Sequence, residues 1–135
     1  MYSLVTLRNR HFLEAARRVV ANIPAGHPVS LRYVASAAAL EPAPCYYCTF
    51  EYALRMLRVL RHGRLHLRND RRLALWKELD ARATRLMERH GYRLDFALAN
   101  VLAAGHASQF FISPDRAMDI LRSAFNPETR QITIP

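Results

Sequence analysis

Apolar residues recur along this chain at three- and four-residue intervals, the period that lays one buried stripe along a helix. Phe12, Ala16, Val19, Val20 and Ile23 make one such stripe, and Leu75, Leu79, Ala83, Leu86 and His90, ahead of Gly91, make another. Both predict long amphipathic helices. Two shorter stripes resemble each other closely: Ala53, Met56, Leu57 and Leu60 in a helix from about Phe50 to Arg61, and Ala117, Ile120, Leu121 and Ala124 in a second. Between long and short helices the spacing predicts two small-residue-rich ones. Ser30 caps a helix running to about Leu40, stopped by Glu41-Pro42-Ala43-Pro44, and Asp95 caps one running to Ala104, stopped by Gly105. The period changes in only two places: Arg64-Leu-His-Leu-Arg68 and Arg130-Gln-Ile-Thr-Ile134 alternate polar and apolar residues, as a short strand does.

The likeness of the short helices extends to the residues before them. A shift of 64 lays Ala43-Pro-Cys-Tyr-Tyr-Cys-Thr-Phe-Glu-Tyr-Ala-Leu-Arg-Met-Leu-Arg58 over Ala107-Ser-Gln-Phe-Phe-Ile-Ser-Pro-Asp-Arg-Ala-Met-Asp-Ile-Leu-Arg122, with four of sixteen positions identical and six closely substituted. Each copy carries two aromatics, then a hydroxyl suited to an N-cap (Thr49, Ser113), then an acid in the first turn (Glu51, Asp115), and Pro114 stands at the favoured first helical position. The expectation is a mainly α chain of two tandem copies, each a helix, a helix, an extended aromatic segment, a helix and a short strand. The boundaries are about 4–68 and 72–134 within one compact domain, 1–135.

The run from Ala43 to Thr49, followed by Glu51 and Ala53, carries Ala-Pro, two aromatics and then Thr. It resembles a motif of small uncharacterised bacterial proteins that carry Ala-Pro, two aromatics and then Ser or Thr. The resemblance covers about sixteen residues and implies no activity. Cys45 and Cys48 stand where that motif leads one to expect other residue types.

With 51% apolar residues and only 11 Pro plus Gly in 135, the chain lies far from disordered or linker-like composition. Its longest apolar stretches, such as Val34 to Leu40 with Ser36 inside, fall well short of the roughly 20 residues that span a bilayer. Residues 1–23 are Arg-rich and acid-poor, but their period is that of a first domain helix and not of a secretory signal. Two cysteines without an export signal lead to the expectation of a reducing, cytoplasmic setting and no membrane partner.

Charge is distributed unevenly. Residues 1–72 hold 12 arginines against Glu14, Glu41, Glu51 and Asp70, net +8, whereas residues 73–135 hold 8 basic and 7 acidic residues, net +1. The densest run is Arg55, Arg58, Arg61, Arg64, Arg68, Arg71 and Arg72 against a single acid. Polyanions are the natural partners of such a surface. Three helices followed by a basic strand and an Asn69-Asp70 turn resemble a helix-turn-helix with a wing, whose third helix enters the major groove. The connection of roughly nine residues between the second and third helices departs from that pattern's tight turn. The seven arginines are therefore the candidate nucleic-acid contacts, to DNA or RNA, and the alternative is a protein-interaction or self-association module with incidental charge.

Two patterns could carry other chemistry. Cys45-Tyr-Tyr-Cys48 has redox-dithiol spacing, but the β-α-β surroundings of such a site are missing and the second copy has Gln109 and Ile112 there. Cys45-x2-Cys48-x13-His62-x3-His66 comes within one residue of a zinc-finger spacing, yet Gly63 should end the helix between the two histidines. It stands as a weak structural-zinc candidate beside the expectation of no metal and no cofactor. Six histidines and eleven acids form no recognisable acid–base pair, phosphate loop or nucleophile elbow, so no enzyme activity is expected.

Overall fold

Side-chain caps decide where the helices begin. In the computed structural model, which describes residues 3–135, the hydroxyls of Ser3, Ser30, Thr49 and Ser113 accept from the backbone N–H three residues on, at 3.1 to 3.2 Å. Each satisfies one of the amides that a first turn leaves unpaired. The helices are α1 (Leu4–Ala21), α2 (Leu31–Ala39), α3 (Phe50–Arg61), α4 (Asp70–His90), α5 (Leu94–Ala104) and α6 (Pro114–Ala124), followed by an antiparallel hairpin of β1 (Phe125–Asn126) and β2 (Gln131–Ile132). No helix among the described residues is long and apolar enough to cross a membrane.

Three local expectations change. Asn69-Asp70 does not make a free turn, because the Asn69 side chain accepts from the Arg71 and Arg72 amides at 2.9 and 3.3 Å and so opens α4. Helix α5 starts before Asp95; Arg93 holds the cap position without a side-chain bond, and the Asp95 carboxylate accepts from the Phe96 amide at 2.8 Å. From the first turn it still opposes the positive end of the helix dipole. The alternating run 64–68 forms no strand. Its exposure does alternate, with Arg64, His66 and Arg68 outward and Leu65 and Leu67 half-buried, but a strand needs a hydrogen-bonded neighbour, and none pairs with it among the described residues. In the run 130–134 Gln131 and Ile132 take strand pairing, across from Asn126 and Phe125, and the Thr133 amide donates to the Ala124 carbonyl at 2.9 Å just beyond it.

The chain packs as two units, Met1–Tyr47 with Ala107–Pro135, and Cys48–His106. In the first, α1 and α2 pack together and α6 packs on both. Phe12, Val34 and Leu121 lie wholly buried there, with the Phe12 and Phe110 rings edge to face at 6.0 Å. Ala43 and Ala107 exchange both backbone hydrogen bonds, at 3.0 and 2.9 Å. Arg17 ties the hairpin to α1 by donating from Nε and Nη2 to the Ile132 carbonyl. In the second unit α4 packs against α5 and α3 around Leu57, Trp76, Leu79, Ala83 and Leu98, none of which is exposed. The units do not follow the expected copies, since each combines two helices from one stretch of chain with a third from the other.

Two aromatics occupy left-handed backbone, Tyr47 at φ 55° and Phe111 at φ 56°, a conformation costing an L-residue about 1–2 kcal/mol. The Tyr47 ring stacks on Phe110 at 6.1 Å and a 2.6 Å hydrogen bond joins its hydroxyl to His11 Nδ1. Burial pushes the Tyr47 phenol well above its ordinary pKa, and Cys45 and Glu14 beside it act in the same sense. Phe111 holds the same backbone without a hydroxyl, so the strain belongs to the turn and not to phenol chemistry.

Gly91 ends α4 at φ 71°, donating to the Met87 carbonyl at 2.8 Å, and a Cβ there would meet nothing within 4 Å. Gly91→Ala should therefore cost only the conformational term, about 1 kcal/mol. Urea unfolding checks this, and unchanged stability would mean that the left-handed cap contributes nothing.

Candidate nucleic-acid interface

All seven arginines of the basic run fall in the unit Cys48–His106, which carries 12 basic and 6 acidic residues, net +6, against 8 and 5, net +3, in the other unit. The phase of α3 follows from its cap. With Thr49 at the N-cap, Ala53 and Leu57 turn into the core, which leaves Arg55 and Arg58 exposed on the other side. They border a concavity of about 560 Å³ with Phe50, Leu54, His62 and Arg64, and Glu51 is the one acid on its rim. Arg68, Arg71 and Arg72 are exposed at the approach to α4 and on its first turn.

Aromatic rings hold two of these guanidiniums in place. Arg55 lies over the Tyr52 ring at 5.2 Å and Arg72 over the Trp76 ring at 5.5 Å, while the two rings meet edge to face at 5.5 Å. The result is a ladder of cation, ring, ring, cation running from α3 to α4, which positions charge at the surface without neutralising it. Among the described residues no acid comes within ion-pair reach of Arg55, Arg58, Arg64, Arg68, Arg71 or Arg72.

Arg61 differs from the rest. Its Nε donates to Asp80 Oδ1 at 2.7 Å, and Nη2 donates to Thr84 Oγ1 at 2.7 Å and to the Met87 sulfur at 3.6 Å. These donors serve the packing of α3 on α4, so Arg61 acts as a tether and has fewer donors left for an external phosphate than the other six arginines. The pair is partly exposed, 33% and 26%, and solvent screening keeps its contribution modest. Arg61→Ala should destabilise the chain by about 1 kcal/mol where Arg58→Ala costs no more than about 0.5 kcal/mol. Equal thermal unfolding of the two variants would contradict the distinction.

The four residues of the Cys-His pattern do not fall in one unit. Cys45 belongs to the first unit and Cys48, His62 and His66 to the second. His62 closes α3, and Gly63 at φ 69° turns the chain away before His66. Among the described residues no three of His, Cys, Asp and Glu converge where they could hold a metal ion. No protein-family model matches this chain, and neither does any curated protein or solved structure.

A second basic surface of the same unit escaped the sequence reading. Arg82, Arg85 and Arg89 on α4 border a groove of about 940 Å³ against α5, together with His90, Tyr92 and Asn100. Their spacing of i, i+3 and i+7 puts them on one helix face, a signal that was present but lay in the half of the chain with near-neutral net charge. On α6, by contrast, Arg122 faces Asp119 at 4.0 Å.

Proposed function

We propose that this chain is a non-enzymatic, nucleic-acid-binding accessory protein whose contact surface is the basic unit formed by α3, α4 and α5. The observation that carries the reading is the group of six exposed arginines around α3 and the start of α4 with no acid in ion-pair reach among the described residues. Uncompensated guanidiniums on one surface repel one another and gain free energy when phosphates neutralise them and release their counterions. Arg55, Arg58 and Arg64 around one concavity, with Arg68, Arg71 and Arg72 beyond it, supply the charge.

The chain is built, in this reading, from two diverged copies whose third helices have exchanged places. Supporting it are the equivalent caps Thr49 and Ser113, the equivalent left-handed residues Tyr47 and Phe111, and the mutual pairing of Ala43 with Ala107, which the shift of 64 makes equivalent positions. The copies then divide labour: where α3 presents Arg55 and Arg58, α6 presents Asp119 and Arg122, and only the former suits a polyanion.

A protein-interaction module is the second reading, favoured by Tyr33 and Leu40 of the other unit, which are 60% and 66% exposed. An electrophoretic mobility titration separates the two. Nucleic-acid binding requires a shift of mixed-sequence DNA at low salt that disappears as salt rises, and unshifted DNA at low salt would put the protein-interaction reading in front.

A further inference from the structure

We infer that the groove between α4 and α5 takes a single-stranded stretch of nucleic acid, with its phosphates on the arginine face of α4 and an unstacked base against Tyr92. The inference rests on the proposal that this unit binds nucleic acid, and it assigns a strand state and a second contact surface that the α3 arginines do not specify.

Arginines form the first wall of the groove. Over Arg82 to Arg89 the helix rises about 10 Å, so one face of α4 offers a line of positive charge instead of a single point. A helix end could by itself explain Arg89 and His90, because cations in the last turn offset the carbonyl dipole. That effect fades within one turn, and Arg82 and Arg85 lie beyond it. Arg82 donates to the His106 carbonyl, which fixes the rim of the groove. Arg85 and Arg89 are exposed, and no acid among the described residues lies in ion-pair reach of either.

The other wall is α5, with Asn100, Val101 and Ala104, and Tyr92 in the connection between the two helices completes the lining. The Tyr92 ring lies against His90, nearly parallel at 4.9 Å and 24°, and meets Phe96 edge to face at 4.7 Å. Phe96 lies outside the groove lining but, 55% exposed, adds an apolar ring in water directly beside Tyr92. A duplex keeps its base faces stacked inside and offers a protein only edges and phosphates, so a stacking platform beside a row of arginines serves single strands. The volume of about 940 Å³ lies within the roughly 300–1,000 Å³ of ordinary ligand sites, a concavity on the scale of a nucleotide. Asn100 on α5 uses one amide hydrogen on the Phe96 carbonyl at 2.8 Å and retains its own carbonyl for a base edge. Glu88, also on the groove, accepts only, which favours a base amino group and disfavours a phosphate at that point.

The test is an anisotropy titration of the full chain with a fluorescein-labelled, mixed-sequence single strand and a hairpin duplex of the same sequence. The wild type should bind the single strand more tightly. Tyr92→Leu should weaken single-strand binding by about 5- to 150-fold, the equivalent of losing one stacked base at ~1–3 kcal/mol, and leave duplex binding within about twofold. Arg85→Ala with Arg89→Ala should lower the single-strand salt slope by roughly 1.4. Unchanged melting temperatures would separate these losses from misfolding, and a bromouracil-substituted strand should cross-link under ultraviolet light to the peptide bearing Tyr92 or Phe96. Single-strand binding that these variants leave intact, while substitution of the α3 arginines abolishes it, would overturn the groove and keep the nucleic-acid reading. Failure of the wild type to bind either probe at low salt would overturn both.

Discussion

Trp76→Ala should lower stability by about 3–5 kcal/mol, the largest single-residue effect expected in this chain. The side chain is fully buried in the unit Cys48–His106, with Tyr52 against its edge and the Arg72 guanidinium over its face. Truncation removes the apolar area of an indole and leaves a cavity that helices α3 and α4 can only partly close. It also undoes the ladder that positions Arg55 and Arg72, so basic-surface function should fall with stability. The indole N–H makes the contrast sharper, because among the described residues it is buried without a hydrogen-bond acceptor and folding pays for its dehydration. Trp76→Phe keeps most of the packing and removes that unsatisfied donor, so it should cost far less than the alanine variant. Far-UV circular dichroism against urea gives both values. A Trp76→Ala loss below about 1 kcal/mol would contradict the placement of this ring at the centre of the unit.

The second large effect is electrostatic. In the variant Arg55→Ala, Arg58→Ala, Arg64→Ala, the duplex-binding salt slope should fall by roughly 3, each arginine accounting for about one phosphate, with similar loss on every sequence. Arg122→Ala, whose guanidinium already faces Asp119, should change the slope little. All four positions are exposed, so stability should move by no more than about 0.5 kcal/mol per substitution and unfolding would not mimic the effect. Undiminished duplex binding in the triple variant would remove the α3 surface from the proposal. Loss confined to particular sequences would mean base readout, which these arginines do not imply.

How far the sequence carried depended on whether a feature was local. The ends of α3 were legible because Thr49 and Gly63 each act within one turn, and the faces of α3 and α6 were legible because one stripe of apolar residues can bury only one way. Asp95 misled by a residue or two, since a carboxylate serves nearly as well inside the first turn as at the cap. The run 64–68 misled for a different reason: alternation reports which side chains face water, and only a partner strand turns alternation into a sheet. Packing partners were not legible at all. That α6 joins α1 and α2 while α3 joins α4 and α5 depends on contacts between residues far apart in sequence, and similar stripes are compatible with either arrangement. The site divided along the same line. Exposure of Arg55 and Arg58 followed from helix phase, but the Arg61 tether required Asp80 and Thr84 to be brought up on another helix, and the α4–α5 groove required Tyr92 to stand beside arginines that the net charge of the second half concealed.

The most direct measurement for the nucleic-acid proposal is the dissociation constant of the wild-type chain for mixed-sequence DNA, taken by anisotropy at about 50 mM and about 200 mM salt. A surface that engages four to six phosphates, as estimated from its six unpaired arginines, should lose roughly 10²- to 10³-fold in affinity over that interval. Affinity that does not change with salt, or no binding at the lower concentration, would contradict it.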